Sequence, residues 1–254
     1  MLLAIDVGNT QTHVGTFDGR RLVEHWRLAT DAEATADELA GTVSGLLGLR
    51  GIGFADVTGT IVSTVVPQLG SEYAAMSERY FGRASLMVGP DLKTGMPIKI
   101  DNPHELGADR LVNAVAAYDR VGEACVAVDF GTSTNFDAVS DAGEYLGGVI
   151  APGVEISMEA LTGRTAKLPR IDLSEPGSAI GKNTRACLQA GVVYGFAGLI
   201  DGIDRRLEAE MGEGTRFIAT GGLATLIVPH CETIDETDDL LTLTGLRLIH
   251  ERNA

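Results

Sequence analysis

Asp6-Val7-Gly8-Asn9-Thr10 ends one run of aliphatic residues, and Asp129-Phe130-Gly131-Thr132-Ser133 ends another. A carboxylate at the C-terminal end of a parallel or mixed sheet can hold a hydrated Mg²⁺ ion. The glycine two residues on bares backbone N–H groups to phosphate oxygens. Asn9, Thr10, Thr132 and Ser133 add donors. A single Asp-x-Gly is ordinarily a hairpin turn or a helix cap. Two copies in matching contexts, with Gly221-Gly222 behind a third strand pattern, are harder to dismiss. That glycine pair, lacking Cβ, would let backbone pass close to a flat group such as adenine or ribose; on its own it reads as a strand-to-helix turn.

A second chemical candidate lies in "DNPHELGADRLVNAVAAY", where Leu111, Val112, Val115 and Tyr118 fall at helical spacing. Asp109 would sit at or just before the first turn of that helix. Two readings stay open: an N-cap, for which Asp is well suited, or a general base with Arg110 beside it to grip an anionic substrate. From spacing alone the cap reading leads. "GSAIGKNT" fails as a P-loop, because three residues separate its glycines where four are needed and Asn183 follows the lysine. No Gly-x-Gly-x-x-Gly follows a strand, and the five histidines show no metal-ligand spacing.

These residues need elements to hold them. Residues 2 to 6 read as a buried strand, 12 to 17 as its partner across a turn, and "RLVEHWRLAT" after Asp18-Gly19 as a third strand of a meander. Residues 37 to 49 and 70 to 81 have helical spacing, 57 to 66 is a β-branched strand, and "SLMVG" is a short strand before a loop containing Gly89 and Pro90. The pattern restarts at Cys125. Laid without gaps, Asp129 falls on Asp6 (129 − 6 = 123), Gly131 on Gly8, Ser133 on Thr10 and Asp141 on Asp18. Such a repeat implies two similar domains facing one another, with a boundary near Tyr118 to Glu123. Helices then dominate over 153 to 166, 183 to 212 and a final "LLTLTGLRLIHER", with one more strand at 215 to 222.

The 254 residues can bury a substantial core without staples. A net charge of −15 argues against a nucleic-acid partner. A phosphorylated ligand would have to be neutralised locally, by metal or backbone amides. Three scattered cysteines suggest a reducing cytoplasm. The absence of a leader pattern or of about 18 consecutive apolar residues suggests neither secretion nor a membrane span.

Together "DVGNT", "NPHELGADR", "VDFGTSTNFD", "LGGVIAPG", "AKLPR", "GKNT", "AGVVYGFAGLIDGI" and "ATGGL" resemble, nearly end to end, type III pantothenate kinase, of the acetate and sugar kinase, heat-shock ATPase and actin superfamily. The resemblance implies an α/β fold of two duplicated ribonuclease H-like (actin-like ATPase) domains, 1–118 and 119–254, with a nucleotide cleft between them. It implies phosphorylation of the 4′-hydroxyl of pantothenate by ATP, the first step of coenzyme A synthesis, with Mg²⁺ and a monovalent cation, K⁺ or NH₄⁺. It makes Asp6, Val7, Gly8, Asn9, Thr10, Gln11, Thr12 and His13 the first phosphate loop, Asp6 lying near the Mg²⁺, and Thr132 part of the second. Asp109 becomes the catalytic base, which reverses the cap-first reading. Ile100, Gly107, Ala108, Asp109 and Arg110 line the substrate site, Asp129 is a monovalent-cation ligand, and Thr184 contacts substrate across a homodimer interface. Two positions depart from the family: Ile100 stands where an aromatic, commonly Tyr, is usual, and Asn135 where threonine is usual. These motivate two alternatives, a catalytically impaired family member acting as a nucleotide- or metabolite-binding interaction protein, and a kinase for another small hydroxy acid.

Overall fold

The computed structural model describes residues 1–89 and 91–254, so Pro90 of the loop after "SLMVG" lies outside the described residues. The first sheet comprises β1 (Leu2–Val7), β2 (Gln11–Asp18), β3 (Arg21–Ala29), β4 (Gly59–Thr64) and β5 (Leu86–Met87), in the order β3-β2-β1-β4-β5. β1 to β3 form the antiparallel meander, and β4 and β5 run parallel to β1. β1 is fully apolar up to Asp6 because it is the central strand, with neighbours on both edges and Leu3, Ala4 and Ile5 wholly buried.

Helix α1 (Ala36–Gly48) starts at Thr35, whose hydroxyl accepts from Glu38 N while the Glu38 carboxylate accepts from Thr35 N, a capping box. Leu39, Ala40, Val43 and Leu47 face inward, joining Leu69, Tyr73 and Met76 of α2 (Pro67–Met76) over the sheet. The helix expected over 70–81 ends as a π-helical turn, Ser77–Phe81. Helix α3 (Ala108–Val121) closes this part of the chain.

The second sheet comprises β6 (Cys125–Phe130), β7 (Ser133–Val139), β8 (Tyr145–Pro152), β9 (Arg216–Thr220) and β10 (Glu236–Thr237), ordered β10-β9-β6-β7-β8. Order and strand senses repeat those of the first sheet, as a duplication requires. The gapless offset of 123 slips by one after the turn. Asp6 faces His13, and Asp129 faces Asn135, so the offset there is 135 − 13 = 122. Three residues separate β1 from β2, whereas only Gly131 and Thr132 separate β6 from β7.

Helices α4 (Val154–Gly163), α5 (Thr184–Met211) and the short α6 (Ala224–Ile227) accompany this sheet. By length and composition α5 could cross a membrane. Its Leu188, Val193, Phe196 and Ile200 are part of the second core, and its later turns carry Asp201 and Asp204.

Those aspartates tether the segment leading to β10. Asp201 Oδ1 accepts from Glu232 N (2.8 Å), Thr233 N (3.2 Å) and Thr233 Oγ1 (3.0 Å), while Asp204 Oδ2 lies 2.6 Å from the same hydroxyl. A threonine has one hydroxyl proton, so Thr233 can serve only one of these two carboxylates at a time. Burial pushes the Asp204 carboxyl up to about 7, with Asp201 and Asp235 adding to the rise and Thr233 and Arg205 opposing it. A raised folded-state value stabilises fully below the ordinary carboxylate range, and the benefit is lost as pH rises from about 4 through 7. Asp204→Asn supplies a permanent donor. Thermal unfolding should find it more stable than the native chain at pH 8 by a few kcal/mol, since a tenfold change in acidity corresponds to about 1.4 kcal/mol, and the difference should shrink towards pH 4. An unchanged gap across that range would refute the protonated tether.

The chain divides into two compact units, Met1–Ala116 with Leu241–Ala254, and Ala117–Leu240. Assigning all of 119–254 to the second domain therefore differs from the structure at the final helix, α7 (Leu241–Glu251). It packs with β1, β2 and β4. Gly245 lies so close to α3 that an added Cβ would sit 2.2 Å from Val112 O. Leu243, Leu246 and Ile249 are buried.

Candidate functional site

Asp6 is half-buried, one residue before the end of β1, flanked by His13 on β2 and Ser63 on β4. Val7 then leads into a turn closed by Gly8 N donating to Gln11 O at 3.0 Å. A Cβ on Gly8 would lie 2.9 Å from that oxygen, so the turn is tight enough to favour glycine. Asn9, Thr10 and Gln11 are exposed on its outer side. Val7 and Thr12 are 1% and 3% exposed, so their side chains form the inner wall.

Burial pushes the His13 imidazole down to about 4, with the nearby Arg27 and His25 adding to the effect. It is therefore neutral near pH 7 and offers a donor and an acceptor without charge. Thr30, just past β3, reaches into the turn: its N donates to Thr10 O (3.0 Å), and its Oγ1 donates to Gly8 O (2.7 Å) and lies 2.9 Å from Thr12 Oγ1. No sequence motif points to Thr30. The one available signal is a hydroxyl residue at the end of the strand paired with the loop's own hairpin.

Gly107 precedes α3 and accepts from Leu111 N at 3.2 Å. Asp109 is thus the second residue of the helix and lies inside its first turn, two positions past the cap at Gly107. Its Oδ1 accepts from Arg110 N at 2.8 Å, which fixes the carboxylate against its own backbone. A Cβ on Gly107 would lie 2.7 Å from that oxygen, so the glycine makes room for the acid. Burial raises the Asp109 carboxyl above its ordinary value, against the opposing pull of the Arg110 backbone bond and guanidinium. Gly107, Ala108, Arg110 and Ile100 are all partly exposed.

In the second unit, Asp129 is half-buried near the end of β6, between Asn135 on β7 and Thr220 on β9. Gly131 N donates to Ser133 O at 3.0 Å, leaving Thr132 exposed at the tip. Ser133 Oγ donates to Asn135 Oδ1 at 2.9 Å, so Asn135 is occupied in supporting the turn. Gly221 has φ of +98°, and its Cβ would lie 2.6 Å from Phe130 O and 2.7 Å from Asp129 Oδ1. Gly153, which no sequence motif singles out, packs against the carbonyls of Gly131 and Thr132.

Thr184 is the exposed first residue of α5, next to the Asn183 cap that accepts from Ala186 N at 2.9 Å. A cavity of about 470 Å³ lies beside Leu223, lined also by Met158, Glu159, Arg170 and Ile171. Leu223 directly follows the glycine pair in sequence.

No three of His, Cys, Asp and Glu converge as a metal site among the described residues.

A family model described as type III pantothenate kinase matches residues 2–206. The type III pantothenate kinase of Myxococcus xanthus is 53% identical over 253 residues, covering 100% of this chain and 99% of that protein. That of Moorella thermoacetica is 50% identical over 254 residues, with 100% of both covered. Among solved structures, component A of (R)-2-hydroxyglutaryl-CoA dehydratase from Acidaminococcus fermentans superposes with a TM-score of 0.56 at 14% identity, covering 100% and 99% of the two chains. The inorganic polyphosphate/ATP-glucomannokinase of Arthrobacter sp. strain KM gives 0.51 at 17%, covering 99% and 98%. These two likenesses speak for the fold alone, two ribonuclease H-like domains of the actin-like ATPase class.

Proposed function

The chain belongs to the type III pantothenate kinase family, and from that premise we propose how its own residues carry the reaction. The reaction is ATP-dependent phosphorylation of pantothenate, the first step of coenzyme A biosynthesis, a phosphotransfer to an alcohol. The observation that carries the assignment of roles is Asp109, a carboxylate held by Arg110 N, made more basic by burial, and given space by Gly107.

Asp109 accepts the proton of the pantothenate hydroxyl as that oxygen attacks the terminal phosphate. Arg110 holds the pantothenate carboxylate, with Ile100, Gly107 and Ala108 along the same wall. The turn from Asp6 to His13 and the exposed Thr132 present donors to the ATP phosphates. The divalent ion, which we take to be Mg²⁺ beside Asp6, supplies charge neutralisation at the transferring group. Asp129 would hold the monovalent cation, K⁺ or NH₄⁺.

Thr184, exposed at the start of α5, would complete the substrate site of a second copy in a homodimer. Exposed Ile156, Leu161, Ile180 and Tyr194 in the same unit give such a dimer apolar surface to cover. Three free cysteines suit a reducing cytoplasm.

The rival readings, a non-catalytic binder or a kinase for another hydroxy acid, draw on Ile100 and Asn135. Asn135 is accounted for by its bond from Ser133. Ile100 is tested directly. Purified protein with ATP, Mg²⁺ and K⁺ should release ADP only when pantothenate is added. Ile100→Tyr should lower KM for pantothenate by about threefold to tenfold with kcat within about twofold, the worth of one added hydrogen bond. ADP release indifferent to pantothenate in both proteins would overturn the proposal.

A further inference from the structure

Thr30 belongs to none of the chemical motifs, yet it makes two of the bonds that shape the turn after β1. Its hydroxyl has one proton, and the 2.7 Å contact with Gly8 O uses it. In the 2.9 Å contact between Thr30 and Thr12, the donor must therefore be Thr12. The result is a directed pair of hydroxyls, Thr12 to Thr30 to Gly8 O.

Thr12 is 3% exposed, so water does not compete for its bond to Thr30. The consequence for the turn follows from peptide geometry. In a trans peptide the C=O and the next N–H point in opposite directions. With Gly8 O drawn inward to Thr30, the N–H of Asn9 faces outward, on the side where Asn9 and Thr10 are exposed. Thr30 N, bonded to Thr10 O at 3.0 Å, grips the other side of the same turn.

We propose that Thr30 is a positioning residue for phosphoryl transfer: its hydroxyl, oriented by Thr12, locks the Gly8–Asn9 peptide so that the Asn9 N–H is aimed at the nucleotide phosphates. This rests on reading Asp6 to His13 as the nucleotide loop. A preorganised donor contributes more than one that must first be turned, because no reorganisation accompanies the reaction.

The test compares Thr30→Val, which keeps the shape and deletes the hydroxyl, with Thr30→Ser, which restores it, and with Gly8→Ala. KM for ATP, KM for pantothenate, kcat and Tm are measured for each. Thr30→Val should raise KM for ATP and lower kcat, changing kcat/KM for ATP by about tenfold or more, with KM for pantothenate unchanged. Thr30→Ser should recover most of that loss. A general loss of stability would lower Tm without splitting the two KM values. If Gly8→Ala raises KM for ATP while Thr30→Val does not, the positioning role is wrong and the loop reading survives. If Gly8→Ala also leaves ATP kinetics intact, the loop reading falls and takes the proposal with it.

Discussion

Replacing Asp109 by Asn is expected to cut kcat for pantothenate phosphorylation by about 10³-fold while leaving ATP affinity within about twofold. Asn fills the same space beside Gly107 and can still accept from Arg110 N, so geometry is retained and basicity alone is removed. The carboxyl is raised above its ordinary value, chiefly by burial. In the native enzyme the rate of pantothenate phosphorylation should therefore fall, as pH drops, at a pH above the usual carboxylate range, and this limb should vanish from the residual activity of Asp109→Asn. The raised value also has a sign for folding. An acid with a raised folded-state value is less favourable when ionised than in the unfolded chain, so its ionisation destabilises the fold as pH rises through that value. Asp109→Asn should accordingly match or exceed native Tm at pH 8. Lost activity with raised or equal Tm is the signature of a functional group kept at some cost to stability. Near-normal turnover would remove Asp109 from the base role.

Much of the proposed site can be read from sequence because its candidate residues sit at strand ends. "LLAIDVGNT" announces both a central strand and the turn proposed to act at its end, and the second Asp-x-Gly announces the duplication. What escapes is whatever depends on partners distant in sequence. Thr30 lies 22 residues beyond Gly8, and nothing local says that its hydroxyl reaches Gly8 O and Thr12. The one-residue slip between the two loops is equally silent, since a gapless comparison gives matching Asp and Gly positions up to the turn. Only strand register reveals that Asn135 corresponds to His13, which turns an apparent loss of a loop threonine into a supporting contact with Ser133. Helix α7 shows the general limit. Its apolar stripe predicts a helix with one buried face, and amphipathicity does not specify which of two similar sheets that face will cover. Asp109 is ambiguous for a related reason: Asp is equally suited to a cap and to the first turn, and the distinction is a displacement of two residues.

Gly221→Ala should be strongly damaging, lowering kcat/KM by about 10²-fold and Tm by several degrees. Two effects coincide there. The backbone has φ of +98°, a conformation that costs a residue with Cβ on the order of 1–2 kcal/mol. The added Cβ would also sit 2.6 Å from Phe130 O, 2.7 Å from Phe130 N and 2.7 Å from Asp129 Oδ1, where no real Cβ fits. Relief requires β6 and β9 to separate at the end of their ladder, where Asp129 pairs with Thr220, or the Asp129 carboxylate to swing away. Either movement displaces the proposed monovalent-cation ligand. Loss of activity should therefore come with a raised K⁺ concentration for half-maximal activation, and saturating K⁺ should recover part of the rate. Gly222→Ala is the internal comparison, since Gly222 has no positive φ; it should retain native K⁺ dependence. If Gly221→Ala lowers Tm while its K⁺ response stays native, Asp129 holds no monovalent ion and the close approach of Gly221 serves packing alone. If the K⁺ response moves in Gly221→Ala and in Asp129→Asn together, the glycine and the carboxylate form one device, in which the absent Cβ just past β9 is what lets the strand end of β6 present its acid.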